Sequence, residues 1–146
     1  MTKSYISRKG AALVVTGVAL AIGVGSSTLL GEGHVTSREA RQQNPFVASE
    51  KNLAAGKALY VTHCIDCHGP AGRGDGKAAF NLDPRPADLS SQEVAKQSDG
   101  ALFWEITRGQ KPMPAFERMT TADERWLIVL YVRALCPRTG EDATRN

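Results

Sequence analysis

Beyond position 30 the chain has no excess of either charge: residues 31–146 carry 15 Lys and Arg against 15 Asp and Glu. The overall charge of +3 comes from Lys3, Arg8 and Lys9 at the start. A neutral body offers no electrostatic footprint for nucleic acid, so no nucleic-acid partner is expected. Internal repeats and low-complexity tracts are missing, which removes the repeat architectures. With 146 residues there is room for one compact domain of about 100 residues plus extensions, and for one site. Histidine, cysteine and methionine each occur only three times, so any chemistry built on them has few residues to draw on.

Long apolar stretches are equally scarce. The one that exists, residues 10–31, reads GAALVVTGVALAIGVGSSTLLG, contains no charge, and has the basic cluster on its N-terminal side only. It is either a secretory signal peptide, whose apolar core runs about 7 to 15 residues, or a retained signal anchor, which needs about 20. The run is long enough to span although glycine and serine dilute it, and the retained anchor is the favoured reading. Under both readings everything after about residue 31 is exported. The folded part is expected on the periplasmic side of the cytoplasmic membrane, anchored, or soluble in the periplasm if the segment is cleaved.

Residues 32–49 are polar and aperiodic and read as a tether. Ser49 then looks like the cap of a helix over 50–61 with Leu53, Gly56, Leu59 and Tyr60 on one face, Gly56 marking close approach by another backbone. Residues 69–91, rich in Gly and Pro, form a long loop of the kind that wraps something or serves function. A second helix is expected over 99–108, capped by Ser98 and stopped by Gly109, with Leu102, Phe103 and Ile106 as its apolar stripe. Thr121 and Glu124 form a capping box that opens a third helix, ended before Pro137. The domains are therefore 1–31 (signal segment), 32–49 (tether), 50–137 (an all-α folded domain of three or more helices) and 138–146 (polar tail). Three moderate helices supply few apolar residues for independent stability, which implies that a cofactor completes the core.

The sequence HCIDCHG at 63–69 says which one. Cys64 and Cys67 followed at once by His68 is C-x-x-C-H, the attachment signature for c-type haem. Two intervening residues let one turn of chain bring both thiols to the vinyl groups on one porphyrin edge, and the adjacent imidazole serves as proximal iron ligand through Nε2. The alternatives are a disulfide or half of a zinc site. Zinc would need four ligands, and the other exported residues of the right type, His34, His63 and Cys136, are not at finger spacing. A thioredoxin-like dithiol would want a βαβ pattern, which is missing. His63 is read as a surface or packing residue, His34 as solvated, and Cys136 as an inert small apolar side chain.

The iron of such a haem has a second axial position. Met113, between Pro112 and Pro114, is the leading residue for it, because a thioether is a soft ligand that favours ferrous iron and the prolines stiffen the loop. One covalently attached haem c ligated by His68 and Met113 is the expected cofactor.

Taken together, residues 50–136 resemble the class I cytochromes c, most specifically in GKALYVTHCIDCHG, KPMPAF and ADERWLIVLYVRAL. The extended CHGPAGRGDG with PRPADL is similar to bacterial monohaem members that serve as domains or subunits of respiratory and dehydrogenase complexes. The resemblance implies a cytochrome c fold in which the first helix crosses the last through Gly56 and Tyr60 against Ile128 and Tyr131. It also implies that His68 donates its other ring N–H to a proline carbonyl, Pro84 or Pro86. The implied function is one-electron transfer between respiratory or dehydrogenase partners, without an enzymatic reaction of its own. Arg73, Lys77, Arg108, Lys111 and Arg118 would rim the exposed edge and steer it to an acidic partner. The competing readings are a haem enzyme (a peroxidase or small-molecule reductase) and a gas sensor, both of which need an open sixth position.

Overall fold

The computed structural model describes residues 34–136. The uncharged run at 10–31 and the tail at 138–146 lie outside the described residues, and among those described no helix is long and apolar enough to cross a membrane. Ser49 opens helix α2 (Glu50–His63), its hydroxyl accepting the Asn52 N–H at 3.2 Å. The last helix, α6 (Ala122–Leu135), starts on a full capping box, with Thr121 Oγ1 accepting the Glu124 N–H and the Glu124 carboxylate accepting the Thr121 N–H at 2.7 Å. Each such cap satisfies donors that helical geometry leaves orphaned at its N-terminus.

Helix α2 crosses α6 at backbone contact. A Cβ on Gly56 would run into the Leu127 carbonyl oxygen and lie 3.1 Å from Tyr131 Cβ. Just beyond the crossing the Tyr60 and Tyr131 rings sit 5.2 Å apart, centroid to centroid. Tyr60, Ile128 and Val129 are the largest fully buried side chains of the described residues. Helix α5 (Asp99–Arg108) begins at Ser98 and packs Leu102, Phe103 and Ile106 against α6, Phe103 stacking on Trp126 with centroids 4.1 Å apart. Arg125 is buried as well, its guanidinium lying over the Phe103 ring and donating to the Thr120 carbonyl at 2.6 Å. Two short helices, α3 (Ile65–His68) and α4 (Gln92–Lys96), and 3₁₀ turns at Ala79–Asn81 and Phe116–Arg118 complete an architecture with no strand among the described residues beyond an isolated bridge between Gln110 and Met113. The architecture is all-α, as the sequence implies.

One expectation is corrected. The stretch expected as a tether is docked on the domain over its described part, 34–49. It contains a turn of helix, α1 (Ser37–Ala40), with its own capping box between Thr36 and Glu39. Ser98 Oγ donates to the Ala40 carbonyl at 2.5 Å, Trp104 Nε1 to Gln42 Oε1 at 3.0 Å, and Asn44 Nδ2 to the Trp126 carbonyl at 2.9 Å, while Phe46 packs against the core. The ties run through backbone carbonyls and amide side chains, which leave no periodicity for a sequence to display.

Replacing Gly56 with Ala sets a gain in helix propensity of about 1 kcal/mol against overpacking of a backbone carbonyl that no rotamer relieves. Gly56→Ala is therefore expected to lose about 2 kcal/mol net, the severe end of overpacking less the gain in propensity, read as a lower midpoint in urea unfolding at unchanged slope.

Candidate functional site

Helix α2 ends at His63, and Cys64, whose N–H still bonds the Tyr60 carbonyl, starts the single turn of α3. A four-residue helix exposes most of its carbonyls, and the glycine-rich loop satisfies them. Gly76 N–H donates to the Cys67 carbonyl at 3.1 Å, Gly74 N–H to that of His68 at 2.9 Å, and Ala78 N–H to that of Asp66 at 2.8 Å. From the other side the buried Tyr60 hydroxyl donates to the Gly69 carbonyl at 2.7 Å. The turn carrying Cys64, Cys67 and His68 is thus clamped by α2 and by the loop after the motif.

All three residues, and Met113 with them, line one cavity of about 470 Å³. Its walls are the apolar side chains Leu102, Ile106, Phe116, Ile128 and Val132, the same residues that build or border the core. That volume is in the range of pockets for drug-sized and cofactor-sized ligands. Met113 is placed by its own turn, its N–H donating to the Gln110 carbonyl at 2.8 Å. His63 also lines the cavity, edge-on to Phe116 with centroids 5.9 Å apart, in the packing role expected for it. His34 lies in the docked strap, exposed. Cys136 is buried and donates its thiol to the Leu89 carbonyl at 3.1 Å, and burial raises its pKa, so it behaves as a small core residue.

The electrostatics separate the alternatives for the cysteine pair. Burial, with Cys67 alongside, pushes the Cys64 thiol up to about 12. Thiol–disulfide exchange runs on a low-pKa thiolate, so this environment does not suit a redox dithiol. Among the described residues no three His, Cys, Asp or Glu side chains gather where they could hold a metal ion, so the zinc reading finds no further ligands. His68 donates Nδ1–H to a carbonyl at 3.0 Å, which fixes the tautomer and leaves the Nε2 lone pair for a metal. Burial lowers the His68 pKa against the opposing pull of that hydrogen bond, favouring the neutral, ligating ring. The carbonyl belongs to Ala87, not to Pro84 or Pro86 as the resemblance implies; those prolines line the cavity beside it. Sequence had no signal for Ala87, since every residue carries a carbonyl. The two thiols, the oriented imidazole, the thioether and the apolar walls together suit a covalently attached haem.

Two of the cations expected at the rim are engaged elsewhere. Arg108 pairs with Glu39 of the strap, and Lys77 with Asp66 at 3.2 Å, a solvent-exposed pair. Arg73, Lys111 and Arg118 form no ion pair among the described residues, and Lys111 borders the cavity together with Arg85.

Comparison with known proteins points, like the cavity, to a haem protein. The sequence model of the family described as cytochrome C oxidase, cbb3-type, subunit III matches residues 51–132. Cytochrome c6 of Rippkaea orientalis (strain PCC 8801 / RF-1) is 32% identical over 83 residues, which span 57% of this chain and 70% of that protein. Among solved structures, a chain of the Kuenenia stuttgartiensis reducing HAO-like protein complex superposes with a TM-score of 0.56 at 31% identity, covering 64% of this chain and 47% of its own length. A solved c-type cytochrome is 30% identical over 56% of this chain and 98% of its own, with a TM-score of 0.49. The chain therefore spans about half the length of the Kuenenia chain.

Tyr60→Phe removes the hydroxyl donor from the Gly69 carbonyl, which keeps the Gly72 N–H at 3.2 Å, and the variant is expected to lose about 0.5–1.5 kcal/mol in urea unfolding with its helical circular dichroism retained.

Proposed function

Because the chain belongs to the cytochrome c family described as cytochrome C oxidase, cbb3-type, subunit III, we propose that it is a one-electron carrier working through a single haem c held by Cys64, Cys67, His68 and Met113. The observation that carries this reading is the convergence of those four side chains, 45 residues apart between His68 and Met113 in sequence, on one apolar cavity. When bound, the haem supplies a ferric/ferrous couple that exchanges one electron at a time. Cys64 and Cys67 tether it through thioethers. His68 presents Nε2 as proximal ligand, held in one orientation by the Ala87 carbonyl. Met113 would supply a second, soft iron ligand, which favours the ferrous state and so would raise the potential. Two ligands fixed by separate backbone turns would change position little when the charge changes, which suits electron transfer, and with both in place no site would be left for the incoming ligand that a peroxidase, a reductase or a gas sensor needs.

The partners are a redox donor and acceptor, and the chain serves within or beside a larger membrane oxidoreductase complex. The family description and the origin of the Kuenenia chain in a multiprotein complex support this. The work is done on the periplasmic side of the cytoplasmic membrane, with residues 10–31 as the anchor, supported by the basic cluster before an uncharged run. Docking uses Arg73, Arg85, Lys111 and Arg118 against an acidic partner surface; Arg108 is left out because Glu39 neutralises it.

Two measurements test the proposal. The ferric protein should show the red absorption band of methionine-to-iron ligation with one haem per chain, and Met113→Ala should lose the band, bind cyanide and CO readily, and lower the reduction potential. Retention of the band in Met113→Ala would refute the assignment. Electron exchange with an acidic partner should slow as salt rises from about 0.05 to 0.2 M, and a rate independent of salt would exclude the basic rim as the docking surface.

A further inference from the structure

The strap at 34–49 lies outside the stretch matched by the family's sequence model, 51–132, yet it is tied to one end of the site. Its strongest ties converge on the last turn of α5. Glu39, itself fixed by the Thr36 capping box, forms an ion pair with Arg108. Arg108 also donates to the His34 carbonyl at 3.3 Å and lies over the Trp104 ring, 4.7 Å from its centroid, while Trp104 holds Gln42. At the opposite end of α5, a Cβ on Gly100 would strike the carbonyls of Glu39, Ala40 and Gln42, so strap and helix meet there at backbone contact.

Arg108 is the residue from which the Met113 loop hangs. Gly109 follows it at φ 65° and closes the helix by donating to the Glu105 carbonyl. A Cβ on Gly109 would run into the Pro114 backbone, so the far side of the loop folds back onto the end of the helix. Within that closed loop Gln110 and Met113 pair, Met113 N–H on the Gln110 carbonyl. An unbroken set of contacts thus leads from Glu39 through Arg108 and Gly109 to the turn that presents Met113.

We propose that the strap is a device of this chain for holding the Met113 ligand in place, with Glu39 as a positioning residue acting through Arg108. The proposal rests on Met113 being the sixth ligand. Loss of the Glu39–Arg108 pair frees the last turn of α5, lets the loop open more often, and exposes the iron to an incoming ligand while the rest of the domain stays folded.

The test is the rate at which cyanide displaces methionine in the ferric, haem-loaded full chain. Glu39→Gln and Arg108→Met should each speed cyanide binding by about 3- to 5-fold, the upper part of the range for an exposed ion pair. The double variant should be no faster than the faster single one, because one interaction is removed in each. Asn44→Ala loosens the strap where it meets α6, away from the loop; it should lower the melting temperature yet leave the cyanide rate within about twofold of wild type. Wild-type rates in both Glu39→Gln and Arg108→Met, or an equal acceleration in Asn44→Ala, would overturn the proposal. Failure of the underlying reading looks different: the wild-type ferric protein would lack the methionine band and take up cyanide at once.

Discussion

The close approach of Gly56 to the Leu127 carbonyl is the contact on which the rest of the site depends. It lets α2 and α6 cross with no side chain between them, and both walls of the cavity take their position from that crossing. Four residues on, Tyr60 carries the alignment of α2 to the end of α3 through its bond to Gly69. Four residues beyond Tyr60, Cys64 is already the first anchor of the motif. On the opposing helix Ile128 and Val132, one turn apart and just after Leu127, face the cavity. A side chain at position 56 would push the helices apart, and the thiols and the apolar wall would separate together.

The cavity occupies the place where a domain of this size would put the middle of its core. Leu102, Ile106, Phe116, Ile128 and Val132 belong at once to the core and to the cavity lining, so an apolar group that fills the space packs directly onto the core. Small domains bury a modest fraction of their surface and are marginal without an added staple. A group that binds the folded chain and not the unfolded one stabilises it by mass action, and covalent attachment makes that gain permanent. Folding and cofactor retention are one problem in such an architecture. The same apolar residues that would leave the chain marginal when bare give the iron a low-dielectric seat when filled.

Sequence made visible those parts that depend on side-chain identity. The attachment motif, Met113 between its prolines, the caps at Ser49, Ser98 and Thr121, and Gly56 as a crossing point could all be read because each requires a particular residue at a particular spacing. The structure places each cap and the crossing as expected, and gathers the motif and Met113 in one cavity. What was hidden depends on main-chain atoms or on long-range pairing. The partner of His68 is the Ala87 carbonyl, available at any residue type. Arg108 reads as a surface cation until Glu39, 69 positions earlier, is found beside it. The strap did carry one local signal, Thr36 three residues before Glu39, the pattern of a capping box. Without an apolar run to follow, that pattern passed for a polar linker.

The arrangement of α5 explains why an extra segment is useful here. The helix has ten residues, below the about 12 to 15 at which even good helix formers become marginal in isolation, so its order comes from packing. Its inner face has the core to pack on; its outer face has Trp104 and Arg108, which water alone would leave mobile. The loop that carries Met113 starts at the last residue of that helix and folds back on it at Gly109. His68, the proposed proximal ligand, faces no such difficulty, because it sits in a turn clamped by Tyr60, by the glycine-rich loop and by Ala87. The two sides of the site are thus unequally supported by the family's shared residues, and the strap adds its contacts on the weaker side. On the ligation proposed for Met113, a covering of the outer face of α5 would slow fraying where fraying would release that ligand, and it would do so without touching the cavity.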